Sequence, residues 1–211
     1  MRRPLLIAAL VLAPLLGAAL PRAAAAADLL EPPRPRQGYY FGLGYGFALN
    51  KNWEKHESWG VWPGTEIKFR IGQMVTRRFG LGLQIHSGGA SGDGQTSAFG
   101  GLLMEGQFEV VRNLALYGGV GIDVISLSSQ HMEDKTTRGA VGSGYHLGVS
   151  YDWFFTHRLS GGWSLAPTVE VRYVPGDTAS GMIAIVGLQI QWWSGLPRNQ
   201  LDLPPGEAFK K

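Results

Sequence analysis

The sequence of 211 residues contains no cysteine, which excludes a disulfide framework, a thiolate metal site, a cysteine nucleophile and a cysteine-linked lipid anchor. Beyond Leu20 it also lacks any window of eighteen consecutive apolar residues, so nothing after that point reads as a membrane-spanning helix. A surplus of one charge is missing too. The formal +3 rests entirely on Arg2, Arg3 and Arg22; without them the rest of the 19 basic residues balance the 16 acidic ones. A balanced chain with no basic cluster gives nucleic acid no electrostatic reason to bind.

The first residues differ in kind from the rest. Arg2 and Arg3 make a basic start, Leu5 to Leu20 a mostly apolar run, and Ala23 to Ala27 a small-residue stretch suited to signal peptidase. This is the pattern of a secretory signal peptide, with a mature chain expected to begin near Asp28. Pro14 interrupts the apolar run, which is shorter than the ~20 residues of a spanning helix.

What the chain has in abundance is a two-residue rhythm. In Tyr39, Phe41, Leu43, Tyr45, Phe47 and Leu49 the odd positions are bulky and apolar, while Gly42, Gly44, Gly46 and Ala48 between them are small. A strand sends successive side chains to opposite faces, so one face is apolar and the other nearly bare. Eight such segments, roughly 39–49, 64–75, 79–88, 98–111, 114–126, 140–154, 162–174 and 181–193, are bounded by turn residues. Most reach the ~9 to 11 tilted residues that cross a bilayer. The spacing therefore predicts an all-β protein, an eight-stranded antiparallel up-and-down transmembrane barrel.

Connections alternate in length. Lys51–Trp62, Ala90–Ser97, Leu127–Gly139 and the tight Pro175–Ser180 are expected as surface loops, with Thr76–Arg78, Arg112–Asn113 and a longer Phe155–Gly161 as periplasmic turns. The expected organisation is a signal peptide over 1–27, a Pro-rich periplasmic segment over 28–38, the barrel over 39–193 and a Pro-containing periplasmic tail over 194–211, both flanks having the composition of unstructured ends.

The charges choose the lipid face. Ile67, Phe69 and Ile71 oppose Glu66, Lys68 and Arg70; Leu83 and Ile85 oppose Gln84 and His86; Val169, Val171 and Tyr173 oppose Glu170 and Arg172. Arg or Lys facing lipid at mid-bilayer costs about 2 to 4 kcal/mol, so the apolar face points outward. An eight-stranded barrel has room inside only for side chains, which predicts an interior network of Glu66, Lys68, Arg70, His86, Glu105, Glu109, Asp123, His146, Asp152, Glu170 and Arg172. Its acidic excess calls for protonation, water bridges or pairing with the two histidines. Trp153, Trp163, Trp192 and Trp193 at one set of strand ends, and Trp62 and Tyr173 at the other, are expected to form aromatic girdles. Pro167 falls on the outward face of the seventh segment and predicts a bulge or local break there.

With these residues in hand, the stretch 39–193 resembles the small bacterial outer-membrane barrels of the OmpA transmembrane-domain, OmpX and OmpW type. Its last strand, with Val186, Leu188, Ile190 and Trp192 alternating outward, looks like the terminal signal read by the barrel-assembly machinery. Chains of that type usually stop at the aromatic, whereas here Ser194 to Lys211 follow. The resemblance implies an integral outer-membrane protein of Gram-negative bacteria, in contact with membrane lipid and lipopolysaccharide, monomeric and without a cofactor. It further implies a non-enzymatic structural, surface-interaction or small-solute passage role.

Other readings compete. The strings Gly42-Leu-Gly-Tyr-Gly46 and Gly118-Gly-Val-Gly121 lack complete G-x-G-x-x-G spacing and open no helix, so small interior positions explain them better than a nucleotide. His86, His146, Glu66 and Asp123 could converge as a metal or proton-sensitive cluster, though hydrogen-bonded interior histidines are the commoner case. A lipid-modifying enzyme would draw on His86 with Ser87, or His146 with Ser150 and Asp152; the first pair points to opposite faces and the second spreads along one strand. Trp53, His56 and Trp59 form an aromatic surface-loop patch for recognition or for anchoring at the lipopolysaccharide boundary. The alternative fold is a soluble lipocalin-like barrel with the same strands turned inside out.

Overall fold

The computed structural model describes residues 36–54, 57–76, 78–129, 138–155, 161–176 and 179–195. Among them the chain forms eight antiparallel strands: β1 Tyr39–Glu54, β2 Glu57–Met74, β3 Phe79–Gly92, β4 Gln95–Val111, β5 Leu114–Ser129, β6 Arg138–Tyr151 continued by Trp153–Phe154, β7 Gly162–Val174 and β8 Ser180–Trp193. Each strand pairs with the next, and β8 returns to β1 from Tyr40↔Trp193 to Trp53↔Ser180, closing the barrel. Closure leaves the wall without an open sheet edge, the arrangement that satisfies backbone groups in lipid.

The alternation sorts as the charges require. Tyr45 is 62% exposed, Ile67 52% and Leu147 65%, while Lys68, Arg70 and Arg172 on the opposite face are buried. The end carrying Tyr39 and Trp193 is here termed the base, and the end with the hairpins β1–β2, β3–β4 and β5–β6 the head.

The strands are longer at the head than the alternation of apolar residues indicates. Lys51–Trp62 is not a loop: β1 runs to Glu54 and β2 starts at Glu57. Ala90–Ser97 is likewise strand, paired to Gly92↔Gln95 and closed by a two-residue turn at Asp93 (φ 51°) and Gly94 (φ 71°). Two consecutive left-handed residues give the hairpin turn that matches strand twist, and Asp-Gly supplies them at low cost. Past the apolar band the outward positions of this hairpin hold Ser87, Gly89, Ser91 and Thr96, whose backbone stays in the ladder without apolar side chains to mark it. β5 reaches Ser129 and β6 begins at Arg138; residues 130–137, within the expected loop Leu127–Gly139, lie outside the described residues.

Pro167 disturbs one side of β7 only. Its pairing with β8 runs unbroken through Pro167↔Leu188, whereas the ladder with β6 stops at Ser150↔Thr168 and resumes in the same register at Trp153↔Leu165. Tyr151, which that register sets opposite Pro167, and Asp152 are left out of the ladder. A proline has no N–H to give to Tyr151 across from it, while Asp152 stays bound on the other side of the strand, its N–H donating to the Asn113 carbonyl at 2.8 Å.

Candidate functional site

Among the described residues the ionisable side chains gather in the interior, which has three storeys. At the base, Tyr40, Met74 and Trp193 form an apolar floor with Phe154 against it. At the head, Ala48, Phe99, Ile125, Leu127, Ala140, Val174, Ala179, Ile183 and Ile185 form an apolar plug. The charged residues lie between.

That middle storey is held by cross-barrel ion pairs. Lys68 Nζ lies 2.8 Å from Glu170 Oε2, and Arg172 Nη1 donates to Glu66 Oε2 at 2.7 Å while its Nη2 pairs with Glu170. Arg70 Nε donates to Glu105 Oε1 at 3.0 Å, a second guanidinium nitrogen pairs with the same carboxylate, and the group sits 4.4 Å from the Tyr117 ring centroid. Glu170 is the hub, accepting also from the Tyr117 hydroxyl at 3.3 Å and meeting His146 Nδ1 at 3.3 Å. His86 Nε2 meets Asp123 Oδ1 at 3.1 Å. Near the base, Glu109 accepts from the Asn113 backbone N–H at 2.9 Å, and Asp152 accepts from Ser164 Oγ at 2.8 Å. Buried charge of this density holds only because each group meets an opposite charge or a hydrogen-bond donor.

A family model described as the outer membrane protein beta-barrel domain matches residues 10–189. The chain belongs to this family. The outer-membrane barrel also shares its fold with two crystal structures of Ail, the attachment invasion locus protein of Yersinia pestis. One, solved in complex with the heparin analogue sucrose octasulfate, has 14% identity and a TM-score of 0.55, covering 74% of this chain and 99% of that one. The other has 13% identity and a TM-score of 0.54 over the same shares. No curated protein matches the sequence.

As an integral outer-membrane barrel, the protein turns its apolar outer face to lipid. Trp153, Trp163 and Tyr173 of the expected girdles face outward, Trp163 meeting Phe41 edge to face and Trp192 stacking on it at 5.5 Å. Two members do not belong there. Trp62 is 3% exposed and Trp193 is fully buried: both share the parity of the interior residues, Trp62 with Glu66 and Trp193 with Gln189 and Gln191, and register overrides the aromatic preference for interfaces.

The expected surface patch is only partly in view. Trp53 belongs to β1 and stacks on Tyr173 of β7 at 6.2 Å with an interplanar angle of 19°. His56 and the side chain of Trp59 lie outside the described residues.

The proposed convergences do not assemble. Glu66 goes to Arg172, Asp123 to His86 and His146 to Glu170, and among the described residues no group of three or more His, Asp or Glu is placed to hold a metal ion. Ser150 and Asp152 both face Arg36, not His146. Arg36 and Tyr117 were not singled out from the sequence. Tyr117 carries the interior parity of Gly119 and Gly121, a readable signal, while Arg36 precedes the first alternating residue and has none.

Proposed function

We propose that this outer-membrane barrel works as a closed body, contributing to the membrane and presenting its head to the outside, and that no solute passes along its axis. The observation that carries this reading is the filled interior: an aliphatic and aromatic plug stands above a layer of cross-barrel ion pairs and a floor of Tyr40, Met74 and Trp193. A narrow eight-stranded barrel has no lumen beyond its own side chains. In this reading the base faces the periplasm, the signal peptide leaves near Asp28, and the assembly machinery reads the last strand. The outward stack of Trp53 on Tyr173 meets lipopolysaccharide at the head, and the barrel is monomeric and non-enzymatic.

Purified protein in a planar lipid bilayer tests it. A sample that migrates differently on a gel before and after boiling, and is therefore folded, should add no steady conductance. Reproducible channels of one size from such a sample would overturn the reading.

A further inference from the structure

The geometry points to Arg36 as an internal stopper, drawn into the base of the barrel by the buried Asp152 carboxylate. Asp152 shares the interior parity of His146 and Ser150, is fully buried, and projects into the floor of the barrel. Ser164 donates one hydrogen bond to it, which leaves a buried carboxylate short of a counter-charge. Among the described residues its ion pair is not with a cation of the wall. The counter-charge comes from the segment ahead of β1.

Arg36 is 1% exposed. Its Nη2 pairs with Asp152 and donates to Ser150 Oγ at 3.2 Å, and its guanidinium lies 5.3 Å from the Trp193 ring centroid. One arginine therefore neutralises the Asp152 carboxylate, covers the indole of the floor and fills the space between them.

The backbone around it is fastened on both sides. The Gln37 carbonyl accepts from the Gly195 N–H at 3.1 Å and the Gly38 carbonyl from the Met74 N–H at 2.8 Å. The Tyr39 N–H donates to Ser194 Oγ at 2.8 Å, while the Ser194 N–H returns to the Tyr39 carbonyl at 2.8 Å. Gly38 (φ 74°) turns the chain inward, a conformation costly for any residue with a Cβ, and a Cβ there would run into Ser194 and Gly195. The residues just beyond the last strand thus clamp the residues just before the first. The stopper keeps water and solutes in the periplasm from the charged storey, independently of the plug at the head.

The absence of cysteine makes the test clean. Ala115, buried on β5 opposite Ser150, is replaced by cysteine and the folded protein is exposed to a membrane-impermeant maleimide. Labelling should be slow in the otherwise native chain and about tenfold faster or more with Arg36→Ala or Asp152→Asn, since protection of a buried site tracks local opening. Arg36→Lys should restore most of the protection. Equal rates in all four, in samples whose gel migration shows a folded barrel, overturn the proposal. The native chain gives a second test that needs no variant. Arg34 precedes proline and resists trypsin, so Arg36–Gln37 is the cleavable bond between Arg22 and Lys51. It should survive in the folded protein and be cut after boiling; rapid cleavage in the folded state overturns the proposal equally.

Discussion

Between Arg70 and Arg172 the barrel is filled by ionised side chains crossing from wall to wall, whereas a few residues further along the same strands it is filled by Phe99, Ile125, Ile183 and their aliphatic neighbours. Both fillings sit inside the same wall. They differ in how they fail. An ion pair removed from water is held by its partner alone, so losing one member strands the other. An aliphatic contact asks only for volume, so losing a methyl group costs area and a small cavity. The middle storey is thus specific and brittle, and the head plug is tolerant.

The sharpest way to expose that brittleness is Arg172→Met. Glu170 would keep Lys68, His146 and the Tyr117 hydroxyl, but Glu66 would lose its guanidinium partner. Urea unfolding in lipid vesicles, followed by gel migration, should show a loss of roughly 3–5 kcal/mol, and Glu66→Met in the same chain should recover a large part of it. If the double variant is no more stable than the single one, the storey is not brittle through charge and the comparison collapses.

In the plug, Ile125→Ala should cost about 2–5 kcal/mol and Ile125→Val only about 0.5–1.5 in the same assay, a graded series with no rescue needed. A one-methyl change that unfolded the barrel would show that the plug is as exacting as the charge network.

The wall sets the boundary of the comparison. Leu83 and Gln84 are adjacent in sequence and face opposite media, Leu83 43% exposed and Gln84 fully buried. Leu83→Arg should cost about 2–4 kcal/mol near mid-bilayer, because lipid offers neither partner nor packing to a guanidinium. Partition of the variant into outer-membrane fractions reads the same effect in cells.

Much of this arrangement is legible in the chain because strand parity is a rule with two outcomes, and Lys68, Arg70, Glu105 and Glu170 can take only one of them in a membrane. The extent of the strands is less legible. Charged residues among the tryptophans of 51–62, and Ser, Thr and Gly in 90–97, break the apolar alternation, so both stretches look like loops, although Asp93-Gly94 is itself a hairpin signal. Trp62 and Trp193 are misplaced when residue type is weighed ahead of register. Pro167 announces a break without saying on which side it falls, and Arg36 is silent because it precedes the first alternating residue and its partner, Asp152, is distant in sequence.

The smallest expected effects bear on what sits above each interior glycine. A Cβ at Gly44, in the charged storey, would meet Lys68 Cγ at 3.0 Å and Cε at 3.2 Å, atoms of a flexible stem that can shift while its ammonium stays with Glu170. A Cβ at Gly88, beneath the plug, would run into the Phe99 ring and the Thr65 carbonyl, one held by its neighbours and the other part of the wall. Overpacking a site that cannot yield costs about 1–3 kcal/mol, so Gly88→Ala should lower the unfolding midpoint clearly and Gly44→Ala by well under half as much. The order matters more than the size. It inverts the ranking of the two storeys under deletion: the charge network tolerates an added methyl because its long side chains move, and the plug, forgiving of lost volume, has none to spare for more.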